Sequence, residues 1–324
     1  MMRVVLKRLA VVLVAVVLAA VVIFAVFAPY VSVEVYSWSS YPTVFGAPKP
    51  GTGTDAGVRW SGGYYAVERL DDRTYAIGEP RYYQSNYSYL VLGERRAILF
   101  DSGPGVRDIK PVVEALTDLP VTVAASHLHY DHVGNMDRFE RVAMLDLPDL
   151  REGVGGDGVF RFGRYEHLGF VDGVEPPAVR VTDWWEPEEE IDLGGRTVEI
   201  LHTPGHSPYD TMLYDEDNDL LFTGDLIYPT TLLALLPGSS RSAYLDSATN
   251  LLGRVPPGTK LFAGHAAYTE TPQVPRLSVS DLSDLRETLE GAREGRREAE
   301  GVFPRSYRVN DRIELQTGFP WNNR

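Results

Sequence analysis

Any fold available to this chain must accommodate one short run, Ser126-His127-Leu128-His129-Tyr130-Asp131-His132, which follows directly on the β-rich stretch Val121–Ala125. Successive side chains of an extended strand alternate between its two faces, so i and i+2 project together. His127 and His129 can therefore bind one ion jointly as the strand ends. A turn just afterwards, eased by Gly134, brings Asp131 and His132 toward a second ion. A lone histidine is usually a satisfied core or surface residue. Four metal-competent side chains within six positions have no comparable packing explanation.

Four ligands do not complete two metal sites, and the downstream sequence supplies the remainder. Thr203-Pro204-Gly205-His206, Thr223-Gly224-Asp225 and Gly264-His265 each follow an apolar run. That is where the loops of an α/β sheet gather along one edge. The chain has no cysteine, so any metal must be held by imidazole and carboxylate. The same absence excludes disulfides and a cysteine nucleophile.

Around these motifs the pattern is mixed α/β. Short β-rich runs at 74–77, 87–92, 97–100, 121–125, 197–201, 211–214, 220–223 and 260–263 are bounded by Gly, Asp and Pro. Helical spacing occupies 106–119, 243–252 and 280–300, and 307–315 looks strand-like. The stretch 148–187, with Gly-rich and aromatic pieces, reads as an insertion or lid within a domain spanning 61–324.

The ordered set His127-x-His129-x-Asp131-His132, His206, Asp225 and His265 resembles the motifs of the metallo-β-lactamase superfamily. Phe100-Asp101-Ser102-Gly103 resembles that family's first motif, an aspartate that supports the metal site from behind. The resemblance implies a four-layer αββα sandwich holding two divalent metal ions, zinc first, with iron or manganese as alternatives. It implies that His127, His129 and His206 hold one ion and Asp131, His132 and His265 the other, with Asp225 bridging. His202, four residues before His206, is expected to be a structural neighbour, and His167 an exposed or packing residue.

Ahead of the domain, Arg3, Lys7 and Arg8 precede an unbroken apolar run over 9–28, long enough as a helix to cross a bilayer core of about 30 Å. Pro29 makes signal cleavage after Ala28 a poor fit. Residues 1–35 are thus expected to be a single-pass transmembrane anchor, and the Pro-, Gly- and Ser-rich stretch 36–60 a linker. Positive charge before the helix places the N-terminus inside and the catalytic domain outside the cytoplasmic membrane. A net charge of −14 argues against nucleic acid as partner.

Two adjacent dications can share a water and lower its pKa, and the resulting hydroxide attacks an electrophilic carbonyl. The expected activity is therefore hydrolysis of an ester, thioester or lactone by a membrane-anchored enzyme acting on a small molecule. Asp131 and Asp225 serve as ligands, and Asp225 also as a candidate proton acceptor. Tyr228 is a candidate donor to the attacked oxygen, with a packed aromatic as its plainer role. The segment Leu232–Leu236 could line an acyl pocket or fill ordinary core. A phosphodiesterase on the same fold and a non-catalytic tethered binding domain are the alternatives.

Overall fold

Strands whose two faces are both covered carry apolar side chains on each, and this pattern divides the second half of the chain between two cores. Along Thr197–His202, Val198 and Ile200 face one core and Leu201 the other. Leu213 and Met212, Phe222 and Leu221, and Phe262 and Leu261 divide in the same way. The structure, a computed structural model, describes residues 14–20, 27, 30, 31, 34, 58–267, 272–301 and 303–318.

The first sheet has eight strands in sequential order, from Val58–Ser61 through Tyr65–Asp71, Thr74–Gly78, Tyr87–Leu92, Ala97–Phe100, Val121–Ala124 and Arg141–Leu145 to Asp183–Trp185. Pairing is antiparallel up to Ala97–Phe100 and parallel beyond it. The second sheet runs Arg276–Ser278, Lys260–Ala263, Leu220–Gly224, Thr211–Asp215, Thr197–His202, Glu190–Asp192. The two sheets share a core of Tyr89, Leu90, Leu99, Phe222 and Phe262. The helices Arg241–Arg254 and Val279–Arg293 cover the outer face of the second sheet. Short helices including Lys110–Glu114 pack on the first sheet. A small third sheet, Thr231–Ala234 with Glu314–Thr317 and Arg305–Arg308, closes the second core. This is the expected αββα sandwich.

Several expected boundaries shift for physical reasons. The helix expected over 106–119 is confined to Lys110–Glu114, where Pro111 occupies the first turn in which a missing N–H costs nothing. The helix expected over 280–300 stops at Arg293, just before Gly295 takes a left-handed φ of 72°. The 307–315 run is a hairpin rather than one strand, Arg305–Arg308 pairing with Glu314–Thr317. Val58, Arg59 and Trp60, assigned to the linker, instead form the edge strand Val58–Ser61 on Tyr65–Asp71. The stretch 148–187 is not all insertion: Leu150, Phe160, Val179 and Trp185 lie in the main core, and Asp183–Trp185 is the last strand of the first sheet.

Of the apolar run over 9–28, only 14–20 and 27 are described, and 14–20 is helical with Val14, Val16, Val17 and Leu18 exposed. The rest of that run, and the linker up to residue 57, lie outside the described residues. Among the described residues no helix is long and apolar enough to cross a membrane.

One buried ion pair ties the two sheets. Arg196, just ahead of Thr197–His202, donates through Nε and Nη2 to Asp215 at 2.7 and 2.6 Å. It also donates through Nη2 to Thr74 Oγ1 at 2.8 Å and through Nη1 to the carbonyl of Arg73 at 2.9 Å. Asp215 is fully buried, so removing the guanidinium strands a carboxylate in the core. Arg196→Met is expected to destabilise the fold by about 3–5 kcal/mol in equilibrium urea denaturation, and Arg196→Met with Asp215→Leu to recover much of it. A loss in the single variant below about 1 kcal/mol would contradict this role.

Candidate metal centre

The strand Val121–Ala124 ends and hands the chain to a short helical turn, Tyr130–Val133, with His129 still extended as its first flanking residue. That turn swings Asp131 and His132 away from His127 and His129, as the motif suggested. Gly134 has a different part from the one expected. Its φ of −62° is open to any residue. A side chain there would collide with the Pro104 carbonyl carbon, 2.2 Å from the position its Cβ would take. The glycine is required for close approach of the 103–105 loop.

The loops at the ends of four strands converge. Ligand atoms of His127, His129 and His206 lie within 4.8 Å of one another, as do those of Asp131, His132 and His265, and those of His127, His132 and Asp225. All seven side chains are buried. Asp225 stands between the first two trios, its Oδ2 lying 3.8 Å from His206 Nε2 and 3.1 Å from His265 Nε2. The resemblance implied a bridging ligand at this residue.

Contacts at the back of each imidazole set which nitrogen faces inward. His206 Nδ1 lies 3.0 Å from the Leu233 carbonyl and His265 Nδ1 3.0 Å from the Gln84 carbonyl. Each Nδ1 therefore carries the proton and leaves the Nε2 lone pair turned inward. His132 Nδ1 donates to Asp101 Oδ2 at 2.9 Å, and Asp101 also accepts from the Ser126 N–H and hydroxyl at 2.6 and 3.0 Å. Asp101 holds a left-handed φ of 65°, uncommon outside glycine and tolerated best by Asp and Asn.

The donor set fits a cation. His132 Nε2 and Asp225 Oδ1 are buried, unpartnered and 3.5 Å apart. His129 Nδ1 lies 2.8 Å from His127 Nε2 and 3.0 Å from His206 Nε2, three nitrogens crowded at distances that only a shared proton or a shared ion reconciles. Gly264 leaves the space open, since a Cβ there would stand 2.6 Å from Asp225 Oδ1. Burial and neighbouring imidazoles hold His127 and His129 well below the usual histidine range, and burial lowers His206 as well, so all three are neutral and ready to ligate. Burial opposes charge on His132 too, but the carboxylates of Asp101, Asp131 and Asp225 overcome it and raise its pKa. Burial likewise opposes charge on Asp225, and His265 and His132 overcome it and keep its carboxyl ionised. Metal binding at this cluster must displace the protons drawn to it.

A profile of the Metallo-beta-lactamase superfamily matches residues 82–265. The chain belongs to this superfamily, and it is a metal-dependent hydrolase. The acyl-coenzyme A thioesterase MBLAC2 of Gallus gallus is 26% identical over 248 residues, covering 68% of this chain and 87% of the relative. The protein of the same name from Homo sapiens is 29% identical over 230 residues, covering 62% and 81%. A hydroxyacylglutathione hydrolase of Aeromonas hydrophila is 24% identical, covering 56% and 62%. A metallo-beta-lactamase from Pontibacter korlensis has the same fold, with a TM-score of 0.51 at 16% identity, covering 70% of this chain and 99% of that one.

Outside the seven, this superfamily member departs from the sequence expectations in part. His202 Nε2 donates to the Pro208 carbonyl at 2.9 Å and belongs to none of the ligand groups, the structural part expected of it. Tyr228 packs against His265, ring centroids 5.2 Å apart, but its hydroxyl donates to the Thr231 carbonyl at 2.8 Å. Its proton is committed, which favours the packed aromatic over the donor. Leu232 and Ala234 fill the second core, while Leu233 and Leu235 are half-buried.

Sequence reasoning missed several polar groups behind the cluster. Asn86 donates to both the Asp131 carbonyl and Asp131 Oδ2 at 3.0 Å. Asp210 closes the Thr203–Asp210 loop by accepting from the Ser207 N–H at 2.9 Å. Glu79 is completely buried; burial pushes its carboxyl up to about 8 despite a hydrogen bond from Tyr64, so at neutral pH it adds little charge near Asp131. The polar triplet Gln84-Ser85-Asn86 between two β-rich runs was a sequence signal for Asn86, and Asp210 and Glu79 had none. Because Asp101 makes the shorter of the two contacts to His132 Nδ1, 2.9 Å against 3.3 Å for the Ser126 hydroxyl, and also holds that hydroxyl, Asp101→Asn is expected to weaken metal retention by about 10–100-fold, read as metal per chain after dialysis against graded chelator. Retention equal to the unaltered protein's would show that Asp101 does not orient a ligand.

Proposed function

We propose that this protein is a membrane-anchored dinuclear metallohydrolase that cleaves acyl thioesters or closely related esters. The convergence of two ligand trios on the shared carboxylate of Asp225 carries the reading. His127, His129 and His206 would hold one divalent ion, and Asp131, His132 and His265 the other. Two ions held there would supply a water of lowered pKa and an electrophile for the carbonyl oxygen. The protein holds the imidazoles in fixed tautomers through Asp101, Leu233 and Gln84, and Asp225 can accept the proton released as the carbonyl is attacked.

The chemistry of the leaving group favours thioesters. A thiol titrates near roughly 8.5, so a thiolate departs without protonation, and the hydroxyl of Tyr228 is already engaged. The acyl-coenzyme A thioesterase relatives support the same bond class. Donors limited to imidazole and carboxylate suit zinc, iron or manganese.

The protein as purified in detergent is expected to carry about two metals per chain and to cleave an acyl thioester faster than a lactone, a cephalosporin or bis-nitrophenyl phosphate. Chelation, or His129→Ala, should abolish turnover. Cleavage of the phosphodiester alone would move the activity to the phosphodiesterase reading, and no metal with no turnover to a binding domain.

The apolar run over 9–28 and the basic residues before it support an anchor with the domain outside the cytoplasmic membrane. Residues just past that run reach the domain: Glu34 accepts from Arg164 at 2.8 Å and from the Tyr165 hydroxyl at 3.0 Å, and the Tyr30 ring meets Tyr165 edge-on. An anchor ending there would hold the Arg164–His167 side of the domain next to the bilayer. The full chain is then expected to stay in the membrane pellet through an alkaline carbonate wash, and its domain to be digested by protease added to spheroplasts. Release by carbonate would sink the anchor, and protection from protease the outward orientation.

A further inference from the structure

Close to the metal centre lies a second small core, in which Tyr82 and Tyr130 pack with Leu168 and Val171 of the 148–187 stretch. Tyr130 sits between His129 and Asp131 in the sequence, so this core adjoins the ligand cluster. His167 belongs to the same region. It closes the short helix Arg164–His167 and is 2% exposed, with its ring edge-on to Phe162 at 5.3 Å and to Tyr130 at 6.3 Å. It lies near enough to the ligand cluster for the Asp131 carboxylate to favour its protonation and for charge on its own ring to disfavour that of His129.

Two hydrogen-bonding facts define its state. Nδ1 accepts from the Gly169 N–H at 3.2 Å, which puts the ring proton on Nε2. Nε2 is buried and has no partner among the described residues. A buried N–H with no acceptor is destabilising, and natural structures keep such groups where a water or a ligand meets them. Packing alone would be better served by phenylalanine or leucine. The residue after it, Leu168, takes a left-handed φ of 57°, a conformation rarely adopted by a branched side chain, and so fixes the direction in which the helix ends. Burial also pushes the His167 pKa down to about 4, so the ring is neutral in working conditions and offers a donor without a charge.

We infer that His167 is a substrate-binding residue whose Nε2–H donates to a neutral carbonyl oxygen on the substrate, away from the bond that is cleaved. An uncharged donor enclosed by the Phe162 and Tyr130 rings suits an amide or ester oxygen, because a carboxylate or phosphate there would lose its water without gaining a counter-charge. The inference rests on the acyl-substrate reading and adds to it the class of group recognised, a thioester whose thiol arm carries an amide.

The test compares two thioesters of one acyl chain, an N-acetylcysteamine thioester and an S-alkyl thioester of equal length without the amide. His167→Phe keeps an aromatic ring against Phe162 and Tyr130 and removes the donor; His167→Gln restores an N–H. The Phe variant is expected to lose about tenfold in kcat/KM for the amide-bearing thioester relative to the alkyl one, mainly through KM. The Gln variant should regain part of that ratio, at unchanged metal content. A ratio equal to that of the unaltered protein, or equal losses on both substrates, would overturn the inference and leave His167 a packing residue. Failure of the unaltered protein to cleave either thioester would instead remove the acyl-substrate reading, and this inference with it.

Discussion

Five imidazoles and two carboxylates share one buried pocket, and that crowding is the physical problem the rest of the molecule is arranged around. Without cations the groups compete for too few protons: His132 is driven toward charge, while His127 and His129 are driven away from it. An assembly of that kind, with His132 Nε2 and Asp225 Oδ1 buried, 3.5 Å apart and without a hydrogen-bond partner, calls for a positive charge between them, and a divalent ion supplies more of it than a shared proton. The absence of cysteine leaves imidazole and carboxylate as the donor set, which keeps the choice among several divalent metals open to availability.

The fold meets this demand by delivering ligands from chain segments far apart in sequence. Parallel strands put their C-terminal ends on one edge, so Val121–Ala124, Leu220–Gly224 and Lys260–Ala263 all empty into the same region. The antiparallel pair Thr197–His202 and Thr211–Asp215 flanks the loop that carries His206. Bracing comes from Arg196, which pairs with the buried Asp215 of its own sheet and donates across to Thr74 and the Arg73 carbonyl of the other. Placing the ligands at strand ends on a braced sandwich restricts their motion far more than a mobile loop would.

Much of the centre was legible because metal chemistry constrains residue type and spacing together. The His-x-His alternation works only on an extended segment, and His206, Asp225 and His265 each announced themselves by following an apolar run. The supporting groups were less visible. Asn86, Asp210 and Glu79 act through tertiary contacts and burial that have no local spacing rule, so apart from the polar triplet that contains Asn86 nothing near them in sequence marks their part. Tyr228 left two roles open in the sequence. Its position invited a catalytic role, but the Thr231 carbonyl three residues away claims its proton. The edge strand Val58–Ser61 was hidden for a related reason, since a two-stranded pairing with Tyr65–Asp71 depends on a partner rather than on its own composition.

From residue identity and order alone came the ligand inventory, the alternation of strands and helices, and the apolar N-terminal run, because each rests on short-range periodicity or on chemistry that few side chains can perform. Three-dimensional packing settled the rest. It paired His132 with Asp101, turned His265 and His206 so that their Nε2 atoms face inward, and set Asp225 between the two trios. It also buried His167 with an unmet donor beside Tyr130. These outcomes follow from the meeting of surfaces separated by tens of residues, and a linear pattern carries no record of which nitrogen of a ring will end up facing the site.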